Sequence, residues 1–253
     1  MSVVWHDVEC GSYGEDLSLW RSLAASHGDP VLDVGAGTGR VTLDLARAGY
    51  RVTALDRDPD LIRALAERSA TVRVGRNVQI VDVSSQAPVT TVVADAREFD
   101  LGERRFPLVI VPMQTVQLLG GAQGRAGFLR CARRHLTAGG ALAVAIAEVL
   151  DLYEVVDGQP APLPDVREED GFVYSSQPIA VRCDHRGFVL ERRRETVSPA
   201  GDRTVEQDLI RLDRLTARGL EREAKAAGFT SAGRRSVPPT PEYSGSEVVI
   251  LRA

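Results

Sequence analysis

Residues 31–40, Val31-Leu-Asp-Val-Gly-Ala-Gly-Thr-Gly-Arg40, decide the fold of this chain. Four residues typical of a buried strand, Val31 to Val34, run into a turn that contains three glycines. Glycine reaches positive φ without strain and lets a ligand come close to the backbone. The helix that we expect after the turn begins with unpaired N–H groups and a partial positive charge. The stretch therefore predicts a strand–turn–helix unit that binds a polar ligand.

Two carboxylates flank this turn. Asp33 lies two residues before the first glycine, and Asp56 follows the next apolar segment, Tyr50 to Leu55. That segment is rich in residues that favour strands, so we expect a second parallel strand that ends at Asp56. An acid at this position can accept two hydrogen bonds from the diol of a ribose. The sequence therefore predicts a nucleoside ligand.

Three functional classes are compatible with nucleoside binding. A nicotinamide-dependent oxidoreductase typically has the pattern G-x-G-x-x-G, whose third glycine would stand where this chain has Arg40. A carboxylate such as Asp33 fits poorly beside a pyrophosphate and suits a ligand that carries an amino group. The oxidoreductase is therefore the less favoured enzyme class. The third alternative is a non-catalytic nucleoside-binding protein of the same fold.

With an acidic residue followed by G-x-G-x-G, the chain resembles the class I S-adenosylmethionine-dependent methyltransferases of the small-molecule type. The resemblance implies S-adenosylmethionine as cofactor and methyl transfer to an oxygen or nitrogen atom of a small organic molecule. It implies that the glycine turn holds the amino-acid end of the cofactor, the second strand its ribose and the third strand its adenine. The cofactor-binding residues implied in this way are Tyr13, Asp33, Gly35, Ala36, Gly37, Asp56, Arg57, Asp95, Ala96 and Met113.

The acceptor should bind near the ends of the fourth and fifth strands. Gln114 and Gln117 follow the fourth strand and could orient an acceptor by hydrogen bonds. Glu148 follows the fifth strand, where it is either a base or amine anchor or an exposed loop residue. Tyr153 completes the predicted substrate-binding set. The Asn/Asp-Pro-Pro-Tyr sequence of related amino-methylating enzymes is absent, which argues against an adenine or glutamine side-chain acceptor. No residue is assigned as the catalytic base.

Alternating strand and helix patterns predict an α/β fold with a doubly wound, mostly parallel sheet. The resemblance implies seven strands in a Rossmann-like methyltransferase fold. After the fifth strand, three segments with period-2 alternation predict a small antiparallel insertion: Phe172 to Val181, Phe188 to Thr196 and Thr204 to Leu212. We therefore expect a single domain over residues 1–253, with an N-terminal helical cap at 1–30 and a substrate-covering subdomain at 151–215. Residues 71–90 are interpreted as a further insertion, either a hairpin or a loop.

Composition limits the partners and the compartment. The 253 residues are 43% hydrophobic and 26% charged, and the net charge of −4 gives no electrostatic preference for nucleic acid. No apolar run reaches the ~18 residues that would span a bilayer, and the N-terminus lacks the pattern of a signal peptide. Three widely spaced cysteines predict reduced thiols in a cytoplasmic protein without a metal site. His6 is expected at the surface. The identity of the acceptor and the oligomeric state remain open.

Overall fold

The structure is a computed structural model, which describes residues 3–70, 88–156, 161–240 and 243–253. Its helices are α1 (Val3–Cys10), α2 (Leu17–His27), α3 (Arg40–Arg47), α4 (Pro59–Ser69), α5 (Gly121–His135) and α6 (Ala217–Ala226). Its strands are β1 (Val31–Val34), β2 (Val52–Asp56), β3 (Val89–Val93), β4 (Phe106–Val111), β5 (Leu136–Ile146), β6 (Tyr153–Glu154), β7 (Asp165–Glu169), β8 (Phe172–Cys183), β9 (Gly187–Val197), β10 (Arg203–Asp213), β11 (Thr230–Val237) and β12 (Ser246–Arg252). A short 3-10 helix covers Thr115–Leu118.

A seven-stranded sheet has the order β11-β12-β5-β4-β1-β2-β3. Strands β1 to β5 pair in parallel, and the last two strands form an antiparallel hairpin at one edge, with β12 antiparallel to β5. Because β1 lies between β2 and β4, the chain changes direction across the sheet at β1. The predicted doubly wound, mostly parallel fold is confirmed.

Helices cover both faces of this sheet. One face packs on Trp20 of α2 and Leu45 of α3, and the other on Phe128 of α5 and Leu220 of α6, all of them inaccessible to solvent. Each large apolar side chain buried in this way contributes roughly 1.5–3 kcal/mol. The two apolar layers hold β1 rigidly, so the turn that follows it has a fixed position.

A second, antiparallel sheet follows β5, as the alternating segments predict. Its order is β10-β9-β8-β6, and β7 also pairs with β8. The three predicted segments correspond to β8, β9 and β10, each of them longer than the alternation indicates. The short strands β6 and β7 have no clear alternation in the sequence. The division into a cap, a core and a substrate-covering subdomain stays a prediction.

Several element boundaries differ from the expected ones. The first helix, α1, lies within the range expected as an N-terminal helical cap, and it buries Trp5, Asp7 and Val8. A Gly-Gly pair is typical of a turn, yet strand β5 begins at Leu136 and contains both Gly139 and Gly140. The register of β5 against β4 shifts at this point, so the glycines are accommodated by a bulge. An insertion is expected over residues 71–90. Residues 71–87 of this range lie outside the described part of the chain, and residues 89 and 90 belong to β3.

In the described ranges, no helix is both long enough and apolar enough to cross a bilayer. Cys10, Cys131 and Cys183 are free thiols.

Candidate functional site

The glycine turn lies between β1 and α3, at the point where the sheet changes direction. Gly35 and Gly37 have φ values of 76° and 55°. A Cβ on Gly35 would lie 2.3 Å from Cγ2 of Thr115, and a Cβ on Gly37 would lie 2.2 Å from Nε2 of His6. Both the backbone conformation and the close neighbours therefore require glycine. In doubly wound sheets, ligands bind at this position.

The end of β2 holds the turn in place. The backbone N–H groups of Gly35 and Ala36 donate to the carbonyl oxygen of Leu55, at 2.8 and 3.1 Å. The N–H of Gly37 donates to a carboxylate oxygen of Asp56 at 2.9 Å. The structure therefore brings Asp56 into direct contact with the turn. Each carboxylate oxygen accepts more than one hydrogen bond, so Asp56 retains capacity for a ligand hydroxyl.

Asp33 is a buried carboxylate without a full set of partners. One oxygen accepts a hydrogen bond from the hydroxyl of Thr42 at 2.6 Å. The other, Oδ1, is inaccessible to solvent and has no hydrogen-bond partner in the described part of the chain. Burial raises the pKa of Asp33 to about 6, although Thr42 and the charge of Arg40 act in the opposite direction. A cationic ligand group beside this oxygen would compensate the cost of burying it.

The end of β3 lies beside the end of β2, since the N–H of Ala94 donates to the carbonyl oxygen of Asp56 at 2.9 Å. The next residue, Asp95, pairs with Arg97, whose Nη2 lies 2.6 Å from its carboxylate. This ion pair lowers the pKa of Asp95 to about 2. Ala96 is buried. The two residues predicted to bind adenine therefore follow a residue that contacts Asp56, and Asp95 already has a protein partner.

Tyr13 is buried beside the start of α3. The guanidinium of Arg40 lies 5.0 Å from the centre of its ring, and the ring of Tyr243 lies 5.0 Å away on another side. Burial raises the pKa of Tyr13. Arg40 directly follows the glycine turn, so Tyr13 is close to the turn through this contact. Arg57, next to Asp56, is exposed.

The segment after β4 carries a strained residue. Met113 has a φ of 54°, a left-handed conformation that costs a non-glycine residue of order 1–3 kcal/mol. Gln114 follows it and is half-buried. Thr115 donates a hydrogen bond from its hydroxyl to the carbonyl oxygen of Pro112 at 3.1 Å and packs on Gly35. The turn of the chain at Met113 therefore brings this segment onto the glycine turn.

Gln117 does not have the predicted role. Its side-chain NH₂ donates to the carbonyl oxygens of Ala147 and Asp213, at 3.1 and 3.0 Å. Its side-chain oxygen accepts the N–H of Ala147 at 2.8 Å. Only 1% of the residue is exposed. The prediction that Gln117 orients an acceptor is wrong, because both of its donors are used to join β5 and β10.

The other two predicted substrate residues lie at different elements. Glu148 is exposed after β5, and one of its carboxylate oxygens accepts the N–H of Ala217 at the start of α6, at 3.2 Å. Its second oxygen has no hydrogen bond within the described residues. Tyr153 is half-buried in β6, where it pairs with Val181 of β8. Burial raises the pKa of its hydroxyl.

Two features of the site were missed in the sequence. The expectation that His6 is at the surface is wrong, since its half-buried ring lies against Gly37. Arg40 forms a buried ion pair with Asp16, at 2.5 and 2.9 Å, and this pair fixes α2 to the start of α3. The signal for the second feature was present, because Arg40 stands where the dinucleotide pattern would have a glycine. Among the described side chains, no three potential ligands are grouped as a metal site.

Comparisons with known proteins agree with this geometry. Residues 31–140 match the family model described as "Methyltransferase domain". This part of the chain is therefore similar to a methyltransferase domain. The matched range begins at β1 and ends in β5, so it includes the glycine turn, Asp56 and the segment after β4. The match agrees with the predicted methyltransferase resemblance.

Curated relatives match over short stretches. A probable cobalt-precorrin-6B C(15)-methyltransferase of Methanobrevibacter smithii is 34% identical over 68 residues, which is 27% of this chain and 36% of that protein. Ribosomal RNA small subunit methyltransferase A of Anaeromyxobacter dehalogenans is 49% identical over 45 residues, 18% of this chain and 16% of that protein. The aligned part of this chain thus spans about a third or less of these relatives.

Solved structures resemble the whole chain. The sugar N-methyltransferase KedS8 from Streptoalloteichus sp. has a TM-score of 0.72 at 16% identity, over 99% of this chain and 92% of that chain. The amino pentose methyltransferase CalS10 from Micromonospora echinaspora, solved with S-adenosylmethionine bound, has a TM-score of 0.69 at 19% identity, over 100% and 97%. The methyltransferase CcbJ from Streptomyces caelestis has a TM-score of 0.65 at 22% identity, over 96% and 91%. At these identities the likeness concerns the fold, including the second sheet after β5.

Proposed function

We propose that this protein binds S-adenosylmethionine at the glycine turn and transfers its methyl group to a nitrogen or oxygen atom of a small organic molecule. The unpartnered oxygen of Asp33, buried two residues before the turn, carries this proposal. A positively charged amino group suits this environment, whereas a pyrophosphate would add negative charge beside a buried carboxylate. The same residue thus favours an aminoacyl nucleoside over a dinucleotide.

Each part of the cofactor would contact a different set of residues at the ends of β1, β2 and β3. Asp33, Gly35, Ala36 and Gly37 would hold the amino-acid end, and Asp56 the ribose hydroxyls. Asp95 and Ala96 would hold the adenine, with Tyr13, Arg57 and Met113 as further contacts. S-adenosylmethionine supplies a methyl group on a cationic sulfur, which an acceptor lone pair takes while the acceptor loses a proton. The protein contributes by aligning the two molecules and excluding water.

The acceptor would bind where β4 and β5 end, beneath the second sheet. Gln114 is half-buried next to Met113, and its side-chain amide offers both a carbonyl oxygen and an NH₂ group to an acceptor. Glu148 has a carboxylate oxygen that does not take part in holding α6, and it can attract an amine. Tyr153 lies on β6 of the second sheet, where it pairs with Val181 of β8. Because the structural neighbours are described as sugar and amino pentose methyltransferases, an amino sugar is the first acceptor class to test.

Calorimetric titration with S-adenosylhomocysteine, the demethylated product, tests cofactor binding. We expect binding in the micromolar range, a lower affinity in Asp56→Ala, and no competition from NADH. A matched control is Asp60→Ala, which removes an exposed carboxylate at the start of α4. Absence of binding in the wild-type protein would remove the proposal.

Turnover is tested separately, with labelled S-adenosylmethionine and a panel of amino sugars, sugars, phenols and amines. Transfer to a member of this panel is the expected result. Tight binding of S-adenosylhomocysteine without transfer to any acceptor would favour the non-catalytic nucleoside-binding alternative instead.

A further inference from the structure

His6 belongs to α1, yet its ring occupies the space directly over the glycine turn. Nε2 and Cε1 lie 2.2 and 2.4 Å from the position that a Cβ on Gly37 would take. Gly37 in turn donates its N–H to Asp56. The imidazole of His6 and the carboxylate of Asp56 therefore both contact Gly37. The helix that carries His6 precedes the methyltransferase domain in the chain, so the family match does not account for this contact.

The hydrogen bonds fix which nitrogen of His6 carries the proton. Nδ1 lies 3.1 Å from the hydroxyl oxygen of Thr38. That hydroxyl has a single proton, which it donates to a carboxylate oxygen of Asp7 at 2.7 Å. Thr38 must therefore accept from His6, and Nδ1 is the protonated nitrogen. In the neutral ring, Nε2 then bears a lone pair, and it has no hydrogen bond to any described residue.

Helix α1 cannot shift easily, because carboxylates on it are tied to two parts of the fold. Asp7 receives two hydrogen bonds from Arg68 of α4, at 2.9 and 2.5 Å. Glu9 receives hydrogen bonds from Ser176 and Arg194 of the second sheet, both at 2.7 Å. Asp7 and Glu9 are both nearly inaccessible to solvent. His6 is thus held in position from both sides.

We propose that His6 is a cofactor-positioning residue whose Nε2 accepts a hydrogen bond from a hydroxyl of the ligand's ribose. The inference rests on the proposed function, since it assumes a nucleoside beside Asp56. Asp56 and Nε2 are both acceptors, and a ribose diol offers two donors. Burial lowers the pKa of His6, against the charges of Asp7, Asp56 and Glu9, which supports the neutral form. The ribose diol would therefore donate one hydrogen bond to the carboxylate of Asp56 and one to the neutral imidazole of His6.

The test compares His6→Phe, which keeps a ring over Gly37 but has no acceptor, with His6→Gln, which retains one. Titration with S-adenosylhomocysteine should give a dissociation constant about tenfold higher for His6→Phe, typical of one lost hydrogen bond. His6→Gln should recover most of the affinity. His185→Phe, at the exposed tip between β8 and β9, is the matched control and should bind as the wild type does.

The 2′-deoxy and 3′-deoxy analogues of S-adenosylhomocysteine separate a ligand contact from a structural role. One of the two analogues should lose affinity for the wild type but bind His6→Phe almost as well as the parent ligand does. If His6→Phe weakens all three ligands by the same factor, or weakens none, the proposal is overturned. Failure of the wild type to bind the parent ligand would instead overturn the proposed function, so the two failures are distinguishable.

Discussion

The carboxylate of Asp56 accepts the backbone N–H of Gly37 at 2.9 Å, and its other oxygen accepts the N–H of Asp58 at 3.0 Å. One side chain at the end of β2 thus shapes the glycine turn and the entry to α4. The same side chain is the predicted acceptor for the ribose. Removal of the whole carboxylate would therefore alter both the turn and the ligand contact, and a conservative change is needed to separate them.

Asp56→Asn is that change. An asparagine can keep its oxygen as acceptor for Gly37, but it lacks the charge that strengthens hydrogen bonds from ligand hydroxyls. We expect the affinity for S-adenosylhomocysteine to fall by roughly 10- to 100-fold, because hydrogen bonds to charged groups contribute about 1.5–3 kcal/mol. The thermal unfolding midpoint should fall modestly, because the side-chain NH₂ of asparagine cannot accept the N–H of Asp58. Calorimetric titration measures the affinity and thermal denaturation measures the midpoint. An unchanged affinity would contradict the prediction that Asp56 binds the ribose.

Asp33→Asn should stabilise the ligand-free protein at neutral pH. The folded state raises the pKa of Asp33 to about 6, so it binds more protons than the unfolded chain between pH 4 and pH 6. The free energy of unfolding therefore falls as the pH rises through this window, and the cost is fully present above it. Each pKa unit corresponds to about 1.4 kcal/mol, and the new buried amide offsets part of the gain. We expect roughly 1–2 kcal/mol of stabilisation at pH 7.5.

Urea denaturation of the wild type and Asp33→Asn at pH 7.5 and pH 4.5 checks this sign. The difference between the two proteins should shrink at the lower pH, where Asp33 is protonated in the folded state and little of the cost of a buried charge remains. S-adenosylhomocysteine should raise the unfolding midpoint of the wild type more than that of the variant, because the variant lacks the charge that pairs with the ligand's amino group. A variant that is less stable at pH 7.5 and equally stabilised by ligand would contradict both expectations.

The local sequence was sufficient to predict the parts of the site that are formed by residues close together in the chain. A buried strand, three glycines and a helix within residues 31–47 predict the turn, because strand period and glycine conformation act over a few residues. The position of Asp56 follows as well, since parallel pairing of β2 with β1 places both strand ends at one edge. Alternation in the segments after β5 predicted the second sheet for the same reason.

Contacts across long stretches of chain were not predictable in this way. Gln117 and Gln114 are three residues apart and chemically identical, yet only Gln117 meets the carbonyl of Asp213, 96 residues later. His6 reaches Gly37 because ion pairs of α1 with α4 and the second sheet hold it there. These distant partners produce no hydrophobic pattern in the sequence around Gln117 or His6. The burial of a polar side chain thus depends on tertiary partners that local pattern does not contain.

The two glutamines after β4 should therefore respond differently to mutation. Gln117→Ala leaves buried backbone groups of Ala147 and Asp213 without partners, which costs about 1–3 kcal/mol for each unsatisfied group. We expect a lower unfolding midpoint and an unchanged affinity for S-adenosylhomocysteine. Gln114→Ala should leave stability nearly unchanged and raise KM for the methyl acceptor. Thermal denaturation and steady-state kinetics check this, and the reverse pattern would restore Gln117 as an acceptor-binding residue.

Two ion pairs join α2 to α3. Because they differ in burial, we expect them to contribute different amounts to the free energy of unfolding. Arg40 and Asp16 expose 9% and 3% of their side chains, whereas Arg21 and Asp44 expose 50% and 18%. Loss of one partner from a buried pair leaves an uncompensated charge and costs about 3–5 kcal/mol. Asp16 also accepts the indole N–H of Trp20 at 2.8 Å. We expect Arg40→Met to reduce the free energy of unfolding by this amount, and Arg21→Met to change it little. Urea denaturation followed by tryptophan fluorescence reports both, since Trp20 is one of only two tryptophans. Equal losses in the two variants would show that burial does not set the strength of these ion pairs.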